Sequence, residues 1–271
     1  MSGRVKGFRF AGVHGGVKPG EALDLGLLFA EEPAVAAAVF TRNRVRAAPV
    51  TISERRLESG LCQAILVNSG NANACTGKQG RQAALALTRA AARSLRIRSS
   101  LVVPASTGVI GVQLPRENIE RAIPDLVDDL SDAGAARFAR AILTTDRGPK
   151  VAQAEVKVGR TTCRLLGIAK GAGMIHPNMA TTLAFVTTDA PMTRATLSRL
   201  LGDATERSFN RATVDGDTST NDSIYALASG AATSRNIEAK SAAGRRFAAA
   251  LTEVLESLAK KIVSDGEGAE H

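Results

Sequence analysis

Apolar and polar positions along the chain sort into short alternating runs and longer stretches with helical spacing. In the first sixty residues, "GFRFAGVHGGV", "LDLGLLFA", "AVAAAVF" and "APVTIS" each read as a short strand between turn formers. "QAILVNSG" is an apolar run closed by turn residues, which predicts a buried strand. "RQAALALTRAAARSL" repeats its apolar residues every three or four positions and predicts a helix. "SLVVPAS" predicts a further buried strand ending in the glycine turn "STGVIG", and helices follow in "RENIERAIPDLVDDL" and "DAGAARFARAIL". "AEVKV" and "CRLLGIAKG" read as a hairpin, and "TTLAFVTTDA" as a strand. "TRATLSRLLGDATERSF" is a helix capped at Thr193 or the turn before it, "SIYALASG" a strand, and "AGRRFAAALTEVLESLAKKIV" the longest helix. Strands and helices intermix without strict alternation, so the pattern predicts an α/β (mixed α+β) sandwich rather than a doubly wound sheet.

Composition narrows the class. The 271 residues, 44% hydrophobic, are enough for one large domain or two small ones. No segment approaches about 18 uninterrupted apolar residues, so the chain reads as soluble, cytoplasmic and without a membrane partner. Cys62, Cys75 and Cys163 are odd in number and lack CxxC spacing, which predicts free buried thiols and neither a disulfide frame nor a metal site. The formal charge of +9 raises nucleic acid as a partner. Aromatics make up only 3% with no Trp, and the basic residues are dispersed, which argues against it. An anionic small-molecule substrate accounts for the excess as well, and a generally Arg-rich composition accounts for it better.

Five stretches carry candidate chemistry, and each has a plainer reading beside it. In "KGAGMIHPNMATTLAFVTTDA", Ala180-Thr181 reads on spacing alone as a polar strand start. It also reads as a self-cleavage site, where the Thr hydroxyl attacks the Ala180 carbonyl and frees a terminal Thr181 nucleophile. "PASTGVIG" is either a glycine turn or an oxyanion site built from hydroxyls and backbone N–H groups. "NSGNANACTG" is either an Asn-rich turn or a wall around a polar ligand. "DGDTSTND" begins like a calcium loop but puts Thr220 and Ala226 where Gly and Glu are needed, so it reads as a polar turn. Glu267 in "DGEGAEH" reads as tail or as a substrate-facing carboxylate.

Taken together, the chain resembles the glutamate N-acetyltransferases, also called ornithine acetyltransferases, of arginine biosynthesis. The resemblance rests on "GFRFAGVHGGVKPG", "AAVFTRNRVRAAPV", "VNSGNANACTG", "PASTGVIG", "LTTDRGPK", "AKGAGMIHPNMATTLAFVTTDA", "SFNRATVDGDTSTND" and "DGEGA", in that order over nearly the whole chain. It implies a DmpA-like fold with N-terminal-nucleophile chemistry. It also implies a cut between Ala180 and Thr181, giving an α chain 1–180 and a β chain from 181 to 271, paired as α2β2. Thr181 then takes acetyl from N2-acetylornithine and passes it to glutamate. Thr107 and Gly108 match the oxyanion pair, and Thr144, Lys170, Thr181 and Glu267 match the positions that hold the amino acid. A fixed cation at Lys170 suits an α-carboxylate, and a carboxylate at Glu267 suits an ammonium. No cofactor or metal is implied; some members also take acetyl-CoA as donor.

The sequence departs from the pattern at His14, at Thr182 and above all after "DGEGA", where members continue and this sequence reads "EH" and stops. A C-terminally truncated chain is therefore expected. It leaves two competing functions in view: a non-catalytic chain that never cuts itself, and an N-terminal-Thr amidohydrolase that gives the acyl group to water.

Overall fold

A computed structural model describes residues 4–174 and 182–268. Ala180 and Thr181 lie outside the described residues. Among the described residues eight strands form one sheet: β1 (Phe8–Val13), β2 (Leu25–Phe40), β3 (Leu61–Asn71), β4 (Val102–Val109), β5 (Lys150–Val158), β6 (Thr161–Lys170), β7 (Leu183–Thr188) and β8 (Ser223–Ala228). Their order is β4-β3-β2-β8-β7-β6-β5, with β1 added to β2. Among the described residues six α-helices accompany them: α1 (Ala48–Leu57), α2 (Gly77–Leu95), α3 (Arg116–Asp128), α4 (Ala135–Ala141), α5 (Arg194–Arg207) and α6 (Ala242–Ser264).

The sheet folds back on itself, and β2 is the hinge. Its register against β3 shifts between Phe29 and Ala34, across Glu31, Glu32 and Pro33. Pro33 has no N–H to offer a ladder, so a bulge is where a strand tolerates it. One edge of β2 pairs with β3, while the other takes β1 before the bulge and β8 after it. Side-chain alternation then sets the layers. Ala64 and Leu66 of β3 pack outward with α2 and α3, while Ile65 and Val67 turn inward. Leu165 and Ala169 of β6 pack outward with α5 and α6, while Leu166 and Ile168 turn inward to the same middle core as Ile65 and Val67. Phe138 of α4 joins the halves, its ring 5.8 Å from Phe10 on β1 and 5.2 Å from Phe185 on β7. The arrangement is the expected sandwich.

Three local expectations fail. "APVTIS" opens helix α1 and is not a strand: Pro49 is accommodated in the first turn, and Val50, Ser53 and Leu57 bury one helical face. "LDLGLLFA" and "AVAAAVF" are a single strand of 16 residues, because the bulge carries pairing across the "EEP" break. The "STG" turn is instead the end of β4, which continues to Val109. Thr193 does cap α5, its hydroxyl accepting the Thr196 N–H at 3.2 Å. Cys62 and Cys163 are free and buried as expected, whereas Cys75 is exposed, in a left-handed conformation between β3 and α2. Burial pushes the Cys62 thiol up to about 12, so it is no ready nucleophile. Among the described residues no helix is long and apolar enough to cross a membrane.

Candidate active site

The site begins where β4 runs parallel to β3. Thr107 and Gly108 stand opposite Ser69 and Gly70 at the end of this pair. Gly108 has φ +129°, and a Cβ there would lie 2.3 Å from the Gly70 carbonyl carbon and 2.5 Å from the Asn71 nitrogen. Only glycine fits so close an approach. Polar side chains fix the loop behind it. Ser106 donates to Asn68 Oδ1 at 2.6 Å, and Asn68 Nδ2 donates to the Asn71 carbonyl at 2.8 Å. Asn221 Nδ2 donates to the carbonyls of Ala72 and Ser106, at 2.6 and 2.9 Å. The Asn-rich stretch is thus both a set of hydrogen-bonded turns and a wall, since Gly70 and Ala72 line the cavity in front.

Lys170 closes β6 and pairs in register with Leu183, the first residue of β7. It is buried, and its Nζ donates to Thr107 Oγ1 at 3.2 Å. A hydroxyl has one donor and two lone pairs, so the Thr107 O–H stays available for another acceptor. Behind Lys170 lies Asp146, whose side chain is fully buried. Its carboxylate accepts from Lys150 Nζ at 2.7 Å, Gly171 N at 2.6 Å and Thr144 N at 3.1 Å, and stands 3.9 Å from Lys170 Nζ. Burial alone would push this carboxyl up. The Lys170 charge, the Lys150 bond and the two backbone N–H groups outweigh it and hold Asp146 below the usual carboxylate range. Burial also lowers the Lys170 ammonium, with Asp146 opposing.

Lys150 continues the chain of charges to Asp265 Oδ2, 2.5 Å away, just past the end of α6. Glu267 follows two residues later. Its N–H donates to the Ala172 carbonyl at 2.7 Å, and its Oε1 accepts the Thr145 hydroxyl at 2.5 Å. Gly173 faces this carboxylate so closely that a Cβ would sit 2.9 Å from it. The segments around 144, 170 and 267 are therefore tied to one another by named bonds.

A cavity of about 510 Å³ opens between them. Thr107, Gly108, Thr144, Lys170 and Glu267 all line it, together with Lys18, Val109, Ile110 and Asn221. The structure thus gathers every sequence-predicted site residue that it describes; Ala180 and Thr181 are outside the described residues. The next described residue, Thr182, is anchored at the same end of the sheet. Its N–H donates to Asp222 Oδ1 at 3.0 Å, and its carbonyl accepts the Ser223 N–H at 3.0 Å. Asp222 is buried with its Oδ2 unpartnered, and burial raises its carboxyl well above the ordinary value. Sequence reasoning missed Lys18, Asp146 and Asp222. Asp146 is two residues from Thr144 and Asp222 ends "STND", but nothing in a one-dimensional string marks a carboxyl for burial.

The ArgJ family model matches residues 9–271. This chain belongs to the ArgJ family. The arginine biosynthesis bifunctional protein ArgJ of Shouchella clausii is 49% identical over 267 residues, which are 98% of this chain and 64% of that protein. The ArgJ protein of Geobacter sulfurreducens is 49% identical over 98% of this chain and 67% of its own length. The ArgJ-family chain described here thus spans about two thirds of the curated relatives it matches. Among solved structures, the Bacillus halodurans ArgJ protein is 43% identical with TM-score 0.62, over 65% of this chain and 92% of that one. The ornithine acetyltransferase of Mycobacterium tuberculosis, solved with ornithine, is 34% identical with TM-score 0.58, over 66% of this chain and 94% of that one. The Ochrobactrum anthropi L-aminopeptidase D-Ala-esterase/amidase, a variant of the Ntn hydrolase fold, has TM-score 0.60 over 97% of this chain at 12% identity, a likeness of fold alone.

Proposed function

We propose that this chain carries the acetyl-transfer site of an arginine-biosynthesis enzyme, armed by a cut between Ala180 and Thr181. One observation carries the reading. Thr107, Gly108, Thr144, Lys170 and Glu267 come from well-separated stretches of sequence and line one cavity, at the end of the sheet where Thr182 is anchored. In the first step the Thr181 hydroxyl attacks the Ala180 carbonyl, and the peptide C–N bond gives way to an ester. Water resolves the ester, leaving an Ala180 carboxylate and a free Thr181 amine, which takes the proton of its own hydroxyl. The same oxygen then accepts acetyl from N2-acetylornithine, releasing ornithine, and glutamate's amine removes it as N-acetylglutamate. Each tetrahedral intermediate carries an oxyanion, for which the free Thr107 O–H and the Gly108 N–H are the donors. Lys170 takes the α-carboxylate and Glu267 a substrate ammonium.

The two solved relatives support the cut. About two thirds of this chain accounts for more than nine tenths of one chain in each, so those chains are shorter than this one. The relatives' names point by similarity to arginine biosynthesis, acetyl transfer and ornithine, and the glutamate acceptor is part of the proposal. The remaining parts of the reading are a cytoplasmic α2β2 assembly, an α chain 1–180, a β chain from 181 and no resident cofactor, with acetyl-CoA as a second donor.

The test is the mass of the purified, denatured protein. Two pieces meeting at Ala180/Thr181 are expected, and an intact 28.2 kDa chain for Thr181→Ala. An uncut wild-type chain would overturn the reading. It would favour a second one: a chain that folds and binds amino acids in this cavity without transferring acetyl.

A further inference from the structure

The cavity holds a second ammonium beside Lys170. Lys18 sits in the loop between β1 and β2, which is built around one carboxylate. Asp24 accepts the N–H groups of Gly15, Val17 and Lys18 at 2.5, 2.7 and 2.8 Å. The Lys18 stem rests against Gly70, where a Cβ would lie 2.8 Å from Lys18 Cγ. Its Nζ donates to the Leu143 carbonyl at 2.6 Å and the Leu23 carbonyl at 3.2 Å. An ammonium has three N–H donors, so one remains for the cavity that Lys18 lines. Lys170 and Lys18 are close enough for the charge of Lys18 to lower the Lys170 ammonium.

Asp146 acts on both ammoniums and offsets part of their charge, and what remains faces the cavity, where a ligand anion can answer both. A monocarboxylate answers one of them. A dicarboxylic amino acid answers both, with its methylenes against Val109 and Ile110 on the same wall. We infer that Lys18 selects the acidic acceptor, holding its side-chain carboxylate while Lys170 holds the α-carboxylate. A basic amino acid such as ornithine gains nothing from Lys18 and turns its side-chain ammonium toward Glu267. This rests on the acetyl-transfer reading of the site and adds to it the residue that tells the two amino acids apart.

The experiment is calorimetric titration of L-glutamate, L-glutamine and L-ornithine into the purified protein and its Lys18→Met and Lys18→Arg variants. Lys18→Met is expected to weaken glutamate at least about tenfold, the loss of one charge-assisted hydrogen bond. Ornithine should stay within about twofold, and Lys18→Arg should restore most of the glutamate affinity. In the wild type, glutamine should bind roughly tenfold more weakly than glutamate, a comparison that needs no variant. Wild-type glutamine binding as tight as glutamate overturns the inference. So does a Lys18→Met variant that weakens both amino acids equally, the signature of a prop for the loop. In either case the acetyl-transfer reading stands. A wild type that binds neither glutamate nor ornithine removes both.

Discussion

At Gly108 a hydrogen in place of a methyl decides whether two strands can meet. Gly108→Ala would drive a carbon into the Gly70–Asn71 peptide from a positive φ. We expect a loss of about 2–4 kcal/mol in urea unfolding. Under the proposed mechanism, self-cleavage followed by mass against time should slow at least about 100-fold as the N–H donor is displaced. Asp222 makes a different prediction. Its carboxyl is raised in the folded protein, so the native state holds this proton more tightly than the unfolded chain does. The stability that this proton confers is present below the ordinary carboxylate value and is lost as pH rises from there toward the native one. Asp222→Asn removes that decline. The variant should gain stability relative to wild type as pH rises above the ordinary carboxylate value, measured as a growing difference in unfolding midpoint.

Among elements, the ion chain Asp146–Lys150–Asp265 joins the start of β5 to the segments after β6 and α6. Lys150 and the Asp146 side chain are buried, so Asp146→Asn leaves two lysines without their shared carboxylate and should cost about 3–5 kcal/mol. Combined with Lys150→Met the cost should be clearly less than the sum of the two single changes, read from a double-mutant cycle in urea. Wild-type stability from Asp146 should be lost as pH falls below the ordinary carboxylate value, the opposite sense to Asp222. None of this chain of charges is legible in sequence, because its members are spaced along 120 positions and each resembles a surface residue. Strongly periodic elements were legible: α2, α5 and α6 bury one face each, and β3, β6, β7 and β8 are nearly all buried. Helix α1 was not, since the β-branched run "VTI" outweighed a proline that starts helices well. Read from the residues alone, the "STG" of Thr107 suited a turn or an oxyanion site and Glu267 a tail or a substrate-facing carboxylate, and the family resemblance tipped both toward function; it alone singled out Lys170.

At the scale of the molecule, the fold depends on holding a bent sheet closed. Phe138 is the only side chain on α4 whose ring meets both halves among the described aromatic contacts, touching Phe10 and Phe185. Phe138→Ala should cost about 3–5 kcal/mol in urea unfolding. The halves so joined bring Lys18, near one end of the described chain, to the same cavity as Glu267, near the other. That has a consequence for timing. A ribosome makes the residues around 180 long before it makes Glu267, yet Thr145 and Ala172 have no Glu267 to bond until then. The cavity is therefore lined in full only once nearly all of the described chain has been made.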